Sequence, residues 1–414
     1  MRVLHVLHHS QPSLSGYSIR SGYIVNLQRA GGVLEPWVVT SSQHPNGGVP
    51  VRTPEVIAGT EYRRTHARDG RRLPFFREWQ MMSDLEQVID QAAAEIAPDI
   101  IHAHSPVLVG LPALRVARRR GIPMVYEIRD LWENASIDRG KFSERSLSYR
   151  LAHGVESHVL RRADSVVTIC EGLRNELASR VSETGRLHIV ANGVDVEAFQ
   201  PTPPDERVRE RWGLAGKQVI LYAGTFQPYE GLDLLVRAMP EVVRRIPRAH
   251  LVIVGGSPGL TGGSAPLTVE ERQLRAAVEE NAVQQHVTFT GRIPHDGVRE
   301  MYAIADVLAY PRRWTRTTAL TTPLKPLEGM AMGKPVIVSD VPAMLELVTD
   351  GVTGLVFRAG DHADLAGKCC ELLSDPKLMA RLGAAGRETA CRERQWSHLV
   401  AQYLPIYERL VKTR

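Results

Sequence analysis

The chain has 414 residues, 43% hydrophobic and 23% charged, which is a soluble globular composition with room for two or three cores. No apolar run approaches the ~20 residues that span a bilayer, and the apolar stretch at the start, MRVLHVLHHS, is too short for a secretory signal. The net charge of +5 comes with arginine clusters at Arg63-Arg64, Arg68, Arg71-Arg72, Arg118–Arg120 and Arg161-Arg162. These read as solvated surface or as a face for a membrane or an anionic substrate, and not as a nucleic-acid interface, since no recognition motif or basic-aromatic interleaving accompanies them.

In chain order, residues 2–8 form a buried strand, a turn-rich loop runs to Gly16, and Tyr17–Arg29 has helical periodicity ending at Gly31-Gly32. Trp37–Thr40 is a second strand, and residues 43–75 read as a strand with a long loop. A helix at 79–96 stops at Pro98, and Asp99–His104 is a strand. A helix at 109–120 closes at Gly121, Pro123–Ile128 is a strand, and a long helix covers 143–162. Strands at 165–169 and 187–191 flank a helix at 171–180.

The stretch FQPTPPDER, Phe199–Arg207, reads as a linker, and 199–216 as the inter-domain segment between a domain at 1–198 and one at 217–394. The alternation then restarts with strands at 218–223, 250–254, 287–290, 307–310, 335–339 and 354–357 and helices between them. Residues 395–412 read as one amphipathic helix that packs back on the first domain. Alternating strands and helices predict an α/β fold of two doubly wound parallel sheets, with a ligand cleft between the domains at the strands' carboxyl ends. Cys170, Cys369, Cys370 and Cys391 lack metal-ligand spacing, so a reduced, cytoplasmic protein is expected.

Five places carry candidate chemistry. Gly16, with Tyr17 behind it, opens a helix whose N-terminus can face an anion, or is a plain turn glycine. His102 and His104 alternate on a strand; His104, nearer the carboxyl end, can meet a sugar hydroxyl or be a satisfied structural histidine, and no third metal ligand is evident. Arg129 and Asp130, in the run Glu127–Glu133, can bind an acceptor or brace the cleft. Gly224-Thr225 and Gly255-Gly256-Ser257 follow strands and can cradle phosphate through backbone N–H groups. Lys325 and Glu328 stand three apart at a helix start, where a cation suits a diphosphate and a carboxylate suits vicinal hydroxyls; the other reading is a solvated lysine and a helix-capping glutamate.

Several runs resemble the retaining glycosyltransferases of family 4: ADSVVTICEGLRNEL, IVANGVD (Ile189–Asp195), LVIVGG, and above all PLKPLEGMAMGKPVIVSD with DGVTGLVF. The start from Val3 to Tyr17, with YEGLD and TPLKPLE, is most similar to the branch associated with exosortase A systems and exopolysaccharide loci. The resemblance implies the GT-B fold and a metal-free transfer, with no cofactor beyond a nucleotide-diphosphate sugar as substrate. The expected donor is a UDP- or GDP-sugar, and the acceptor a glycan or a polyprenyl-diphosphate-linked intermediate at the inner membrane face. It carries His104 over as the catalytic histidine, Gly16 as the loop under the diphosphate, Glu328 as the ribose carboxylate and Lys325 as the diphosphate lysine.

This sequence departs from the family pattern in three places. Leu320 stands where many members have a glutamate, and Thr225 and Glu230 stand where many have arginine and lysine. Thr317, Thr318, Thr321 and Thr322 are then the groups near enough to contact the sugar, Thr322 first, and Arg312, Arg313 or Arg316 can serve as substitute cations, Arg312 and Arg316 first. The other readings are a GT-B epimerase and a catalytically weak nucleotide-sugar-binding protein.

Overall fold

A computed structural model describes residues 1–13, 15–42, 54–65, 76–138, 143–181, 183–256 and 267–412. Arg68, Arg71, Arg72, Ser257 and most of the expected loop at 43–75 lie outside the described residues. The chain divides into two units: Met1–Asn192 with Trp396–Arg414, and Gly193–Gln395.

The first unit is built on an eight-stranded sheet. Its strands are β1 (Arg2–Leu7), β2 (Glu35–Thr40), β3 (Glu55–Ile57), β4 (Thr60–Arg64), β5 (Ile100–His104), β6 (Met124–Ile128), β7 (Ser165–Thr168) and β8 (Leu187–Ile189). Their order is β3-β4-β2-β1-β5-β6-β7-β8. All pairs are parallel except the edge hairpin β3–β4. Strands β5, β6 and β7 are buried throughout, as a parallel sheet covered on both faces requires. The direction of winding reverses between β1 and β5, so the loops after these two strands flank the place where such sheets bind ligands.

The second unit holds β9 (Gln218–Thr225), β10 (Ala249–Gly256), β11 (Val287–Gly291), β12 (Val307–Tyr310), β13 (Val336–Ser339) and β14 (Leu355–Phe357). All are parallel, in the order β11-β10-β9-β12-β13-β14, with the reversal between β9 and β12. Gly224 and Gly255 are register partners at the ends of β9 and β10. A Cβ on Gly255 would stand 1.8 Å from the Gly224 carbonyl oxygen, so a side chain there would part the strand ends.

Three elements differ from the sequence reading. Residues 199–216 are not a free linker: Phe199, Val208 and Leu214 are buried in the second unit's core, and Glu206–Arg211 is helical behind an Asp205 cap. The proline-rich composition marks only its exposed irregular stretch at residues 201–205. The last segment is two helices, Trp396–Ala401 and Tyr403–Lys412, and both belong to the first unit. Pro405, in the first turn of the second helix, has no N–H to continue the first. A helix at Pro376–Glu393 was not expected at all.

Candidate active site

In the second unit the candidate donor residues gather at the β9/β12 reversal. Tyr310, the last residue of β12, donates from Oη to the Lys325 carbonyl at 3.0 Å, tying the start of the helix Lys325–Ala331 to the strand. Gly329 lets this helix lie close on β12, since a Cβ there would be 2.2 Å from Leu308 Cδ1. Lys325 Nζ donates to Tyr222 Oη at 2.9 Å and sits over the Tyr222 ring, 4.9 Å from its centroid. Tyr222 Oη in turn donates to the Thr225 carbonyl at 3.0 Å, which fixes the end of β9. Burial lowers the Lys325 pKa, and the nearby Glu230 carboxylate opposes that shift.

Glu328 accepts from Tyr302 Oη at 2.9 Å, and the phenol is held well above its usual pKa by burial and by this carboxylate. The helix start has no side-chain cap, so the capping role left open for Glu328 is not what the structure shows. Arg312 is buried; its Nη1 donates to the Thr321 carbonyl at 2.9 Å, and its guanidinium faces the Tyr229 ring. Thr322 is buried, Arg316 is half-buried in the first turn of the helix Arg316–Leu320, and Thr225 is exposed. Lys325, Gly224, Thr225 and Arg312 are thus brought together, with Glu328 one helical turn on from Lys325.

In the first unit His104 is buried among polar groups that close a ring of contacts. Arg129 Nη2 donates to His104 Nδ1 at 2.5 Å, so the neutral imidazole carries its proton on Nε2. That proton faces His5 Nδ1 at 3.0 Å, and His5 Nε2 then donates to Gln28 Oε1 at 2.8 Å. Gln28 Nε2 donates to Tyr407 Oη at 3.2 Å, and Tyr407 donates to His102 Nδ1 at 2.7 Å. His102 Nε2 lies 3.4 Å from Glu127 Oε2, and Glu127 Oε1 accepts from Arg129 Nε at 2.7 Å and from Arg20 Nε at 3.0 Å. Tyr403 also donates to Glu127 Oε2.

Burial, His102 and Arg129 push the His104 pKa well down. Burial alone would raise Glu127, but Arg20 and Arg129 hold it well below the carboxylate range. The ring is therefore a neutral histidine chain closed on one paired carboxylate.

These contacts bear on two expectations. A third imidazole does stand beside the His102/His104 pair: His5, whose ring nitrogen lies with theirs within 4.8 Å. The nitrogens of His5 and His104 are spent on hydrogen bonds, and Arg20 and Arg129 add positive charge, so a divalent cation is disfavoured here. Arg129 makes its contacts inside the unit, to Glu127, His104, Ser21 Oγ and the Tyr17 carbonyl, which is a bracing arrangement; Asp130 beside it is half-buried. Gly16 is exposed as the first residue of the helix Gly16–Ala30, with Ser15 as its cap, and a Cβ there would meet nothing within 4 Å.

The sequence reading missed His5, Arg20, Gln28, Tyr403, Tyr407, Tyr222 and Tyr302. His5 had a signal: it pairs in register with His102, as alternate positions on two adjoining parallel strands allow. The tyrosines had none, because hydroxyls on apolar stripes read as core.

Comparison with known proteins agrees with both halves. Residues 15–193 match the glycosyl transferase 4-like domain, and residues 204–389 match the glycosyl transferases group 1 family. The chain is 31% identical over 315 residues to the GDP-mannose-dependent alpha-(1-6)-phosphatidylinositol monomannoside mannosyltransferase of Mycolicibacterium smegmatis, covering 70% of this chain and 79% of the relative. It is 27% identical to the alpha-maltose-1-phosphate synthase of the same organism, over 80% of this chain and 83% of that one.

Sucrose-phosphate synthase from Thermosynechococcus elongatus superposes with a TM-score of 0.80 at 22% identity over the whole of both chains. Anabaena HepE in complex with UDP-glucose superposes with a TM-score of 0.76 at 17% identity, again over both whole chains. The chain belongs to the family 4 glycosyltransferases and has the GT-B fold.

Proposed function

We propose that this glycosyltransferase moves a hexose-type sugar, with retention of configuration, from a UDP- or GDP-sugar to a glycan or polyprenyl-diphosphate-linked acceptor. The setting that fits is cell-surface polysaccharide synthesis, as in the exosortase-associated branch its motifs resemble. The observation that carries the reading is the helix start at the β9/β12 reversal, where Lys325 and Glu328 sit one turn apart with Gly224 beside the lysine. Lys325 and Arg312 are assigned to the diphosphate, Glu328 to the ribose hydroxyls and Thr322 to the sugar. His104, oriented by Arg129, is assigned to the transferring sugar, Gly16 to the loop under the diphosphate, and Tyr17 and Asp130 to the acceptor side. The relative named as GDP-mannose-dependent supports a GDP-sugar donor ahead of a UDP-sugar.

Negative charge develops on the leaving diphosphate, so cations and N–H donors placed there lower the barrier. With no carboxylate pair assigned as nucleophile and base, the leaving phosphate takes the acceptor's proton on the same face. Full activity in EDTA is the expected result; activity lost in EDTA and restored by Mg²⁺ would remove the metal-free step.

A thermal-shift panel of GDP, UDP, ADP and their sugars tests the donor assignment. A rise in Tm with GDP- or UDP-sugars is expected, and no shift with any of them would sink the reading. Leu320, Thr225 and Glu230 favour a second reading, a weakly active nucleotide-sugar binder, which would show the shift without sugar transfer or slow donor hydrolysis.

Peripheral attachment to the inner membrane face is part of the proposal. Leu147 and Leu151 are 81% and 55% exposed one turn apart on the helix Leu147–Arg162, which also exposes Arg150, Arg161 and Arg162. Among the described residues no helix is long and apolar enough to cross a membrane.

A further inference from the structure

The donor corner of the second unit contains a carboxylate that the transfer itself does not call for. Glu230 ends the short turn Pro228–Glu230 after β9 and is 6% exposed. The turn is pinned by Gly231, which has φ of +70° and lies so close to the end of β12 that a Cβ would be 2.1 Å from the Pro311 carbonyl oxygen. Glu230 therefore cannot swing away as part of a loose loop. Its Oε1 lies 3.8 Å from Lys325 Nζ and 3.8 Å from Arg312 Nε. Both distances are within ion-pair range and beyond hydrogen-bond reach. Arg312 Nε is buried and makes no hydrogen bond in the protein, while Lys325 Nζ is held from its other side by Tyr222.

Two cations thus share one carboxylate in a largely desolvated corner, with the Glu328 carboxylate one helical turn on from Lys325. A buried arginine beside a half-buried lysine is costly without an anion. A diphosphate would supply that anion when donor is bound, and Glu230 supplies it otherwise.

We propose that Glu230 is an internal counter-ion to Lys325 and Arg312 that competes with the donor's diphosphate. It holds the two cations side by side before donor binds. Because it remains beside them, it also weakens the hold on the nucleoside diphosphate left after transfer, so that product departs. The inference rests on the assignment of Lys325 and Arg312 to the diphosphate. Glu230 is a positioning residue in this scheme: it acts on the two cations and forms or breaks no bond.

The test is calorimetric titration of the full chain with GDP and UDP, for wild type, Glu230→Gln and Glu230→Asp. Removing the charge in Glu230→Gln is expected to tighten nucleoside diphosphate binding roughly tenfold, about 1.4 kcal/mol, and to strengthen product inhibition by the same factor. Glu230→Asp draws the charge back by one methylene and should tighten binding less, which keeps the question open to measurement should the glutamine variant not fold. A purely structural glutamate would give the opposite sign, because Lys325 and Arg312 would lose their anchor; equal or weaker binding by the variants overturns the inference. If wild type binds neither nucleotide, the donor-site assignment itself falls, and the inference with it.

Discussion

Gly224 and Lys325 occupy each other's space. A Cβ on Gly224 would stand 2.0 Å from Lys325 Nζ and 2.3 Å from its Cε, so Gly224→Ala must push the ammonium off the Tyr222 hydroxyl. If Lys325 holds the diphosphate, this one methyl group should weaken GDP or UDP binding about tenfold or more while the strand, paired along its length with β10, stays intact. Calorimetry alongside a thermal melt separates the two effects, and a loss of stability with unchanged nucleotide affinity would count against the role of Lys325. Glu328→Ala removes the carboxylate that the proposal assigns to two vicinal ribose hydroxyls. Hydrogen bonds to a charged group are worth roughly 1.5–3 kcal/mol, so donor KM should rise about ten- to a hundredfold. The same variant should be nearly neutral toward a donor analogue whose ribose hydroxyls are absent, and an equal penalty on both donors would break the link to ribose.

At the scale of elements, the two C-terminal helices are part of the first unit's interior. Tyr403 and Tyr407 reach Glu127, His102 and Gln28, so the last helix completes the circuit that sets the His104 tautomer. Tyr407→Phe leaves His102 Nδ1 and Gln28 Nε2 without their buried partner, at a cost of about 1–3 kcal/mol each. Urea denaturation read on the first unit should show this loss, and stability within about 0.5 kcal/mol of wild type would mean that the ring's links are energetically independent of the hydroxyl. This circuit was barely legible in sequence, because it joins residues from five distant segments and its members look like core aromatics or lone polar groups. The strands were legible for the opposite reason: parallel strands buried on both faces are continuous apolar runs, as in residues 336–338 and 251–254. The helix Pro376–Glu393 escaped because it reads as glycine-broken and polar. Its glycines are contact points: a Cβ on Gly383 would be 2.1 Å from the Gly333 carbonyl oxygen, so the break signal was a packing requirement. The donor helix start was legible because Lys325 and Glu328 are neighbours in sequence, whereas Glu230 and Arg312 meet them only through the β9/β12 reversal.

For the whole molecule, the buried ionisable groups of the first unit set a pH optimum for stability. His5 and His8 are lowered from 6.5 to about 3, His5 by burial and then by His102, His8 by burial and then by His9; burial and neighbouring charges lower His102 and His104 too. Unfolding lets these histidines take up protons below pH 6.5, so folded stability falls as pH drops from 6.5 towards the folded values. The slope is about 1.4 kcal/mol per pH unit for each histidine, or about 2 kcal/mol for His5 alone at pH 5. Glu156 works in the opposite sense. Burial, reinforced by Glu133, raises it from 4.5 to about 8, so it is neutral when folded and ionises on unfolding. Its contribution is complete below pH 4.5 and is lost as pH rises to 8. Below 6.5 the several histidines outweigh the single glutamate; between 6.5 and 8 the glutamate acts against a background in which the histidines are already neutral in both states. Stability of the first unit should therefore peak near pH 6.5 and fall on both sides. Hydrogen exchange of peptides from β5 and β6, corrected for intrinsic rates, at pH 5.0, 6.5 and 8.0 reads this directly. Glu156→Gln should abolish the alkaline decline and leave the acid limb in place, whereas protection that keeps rising to pH 8 in the wild type would show that Glu156 is ionised in the folded protein.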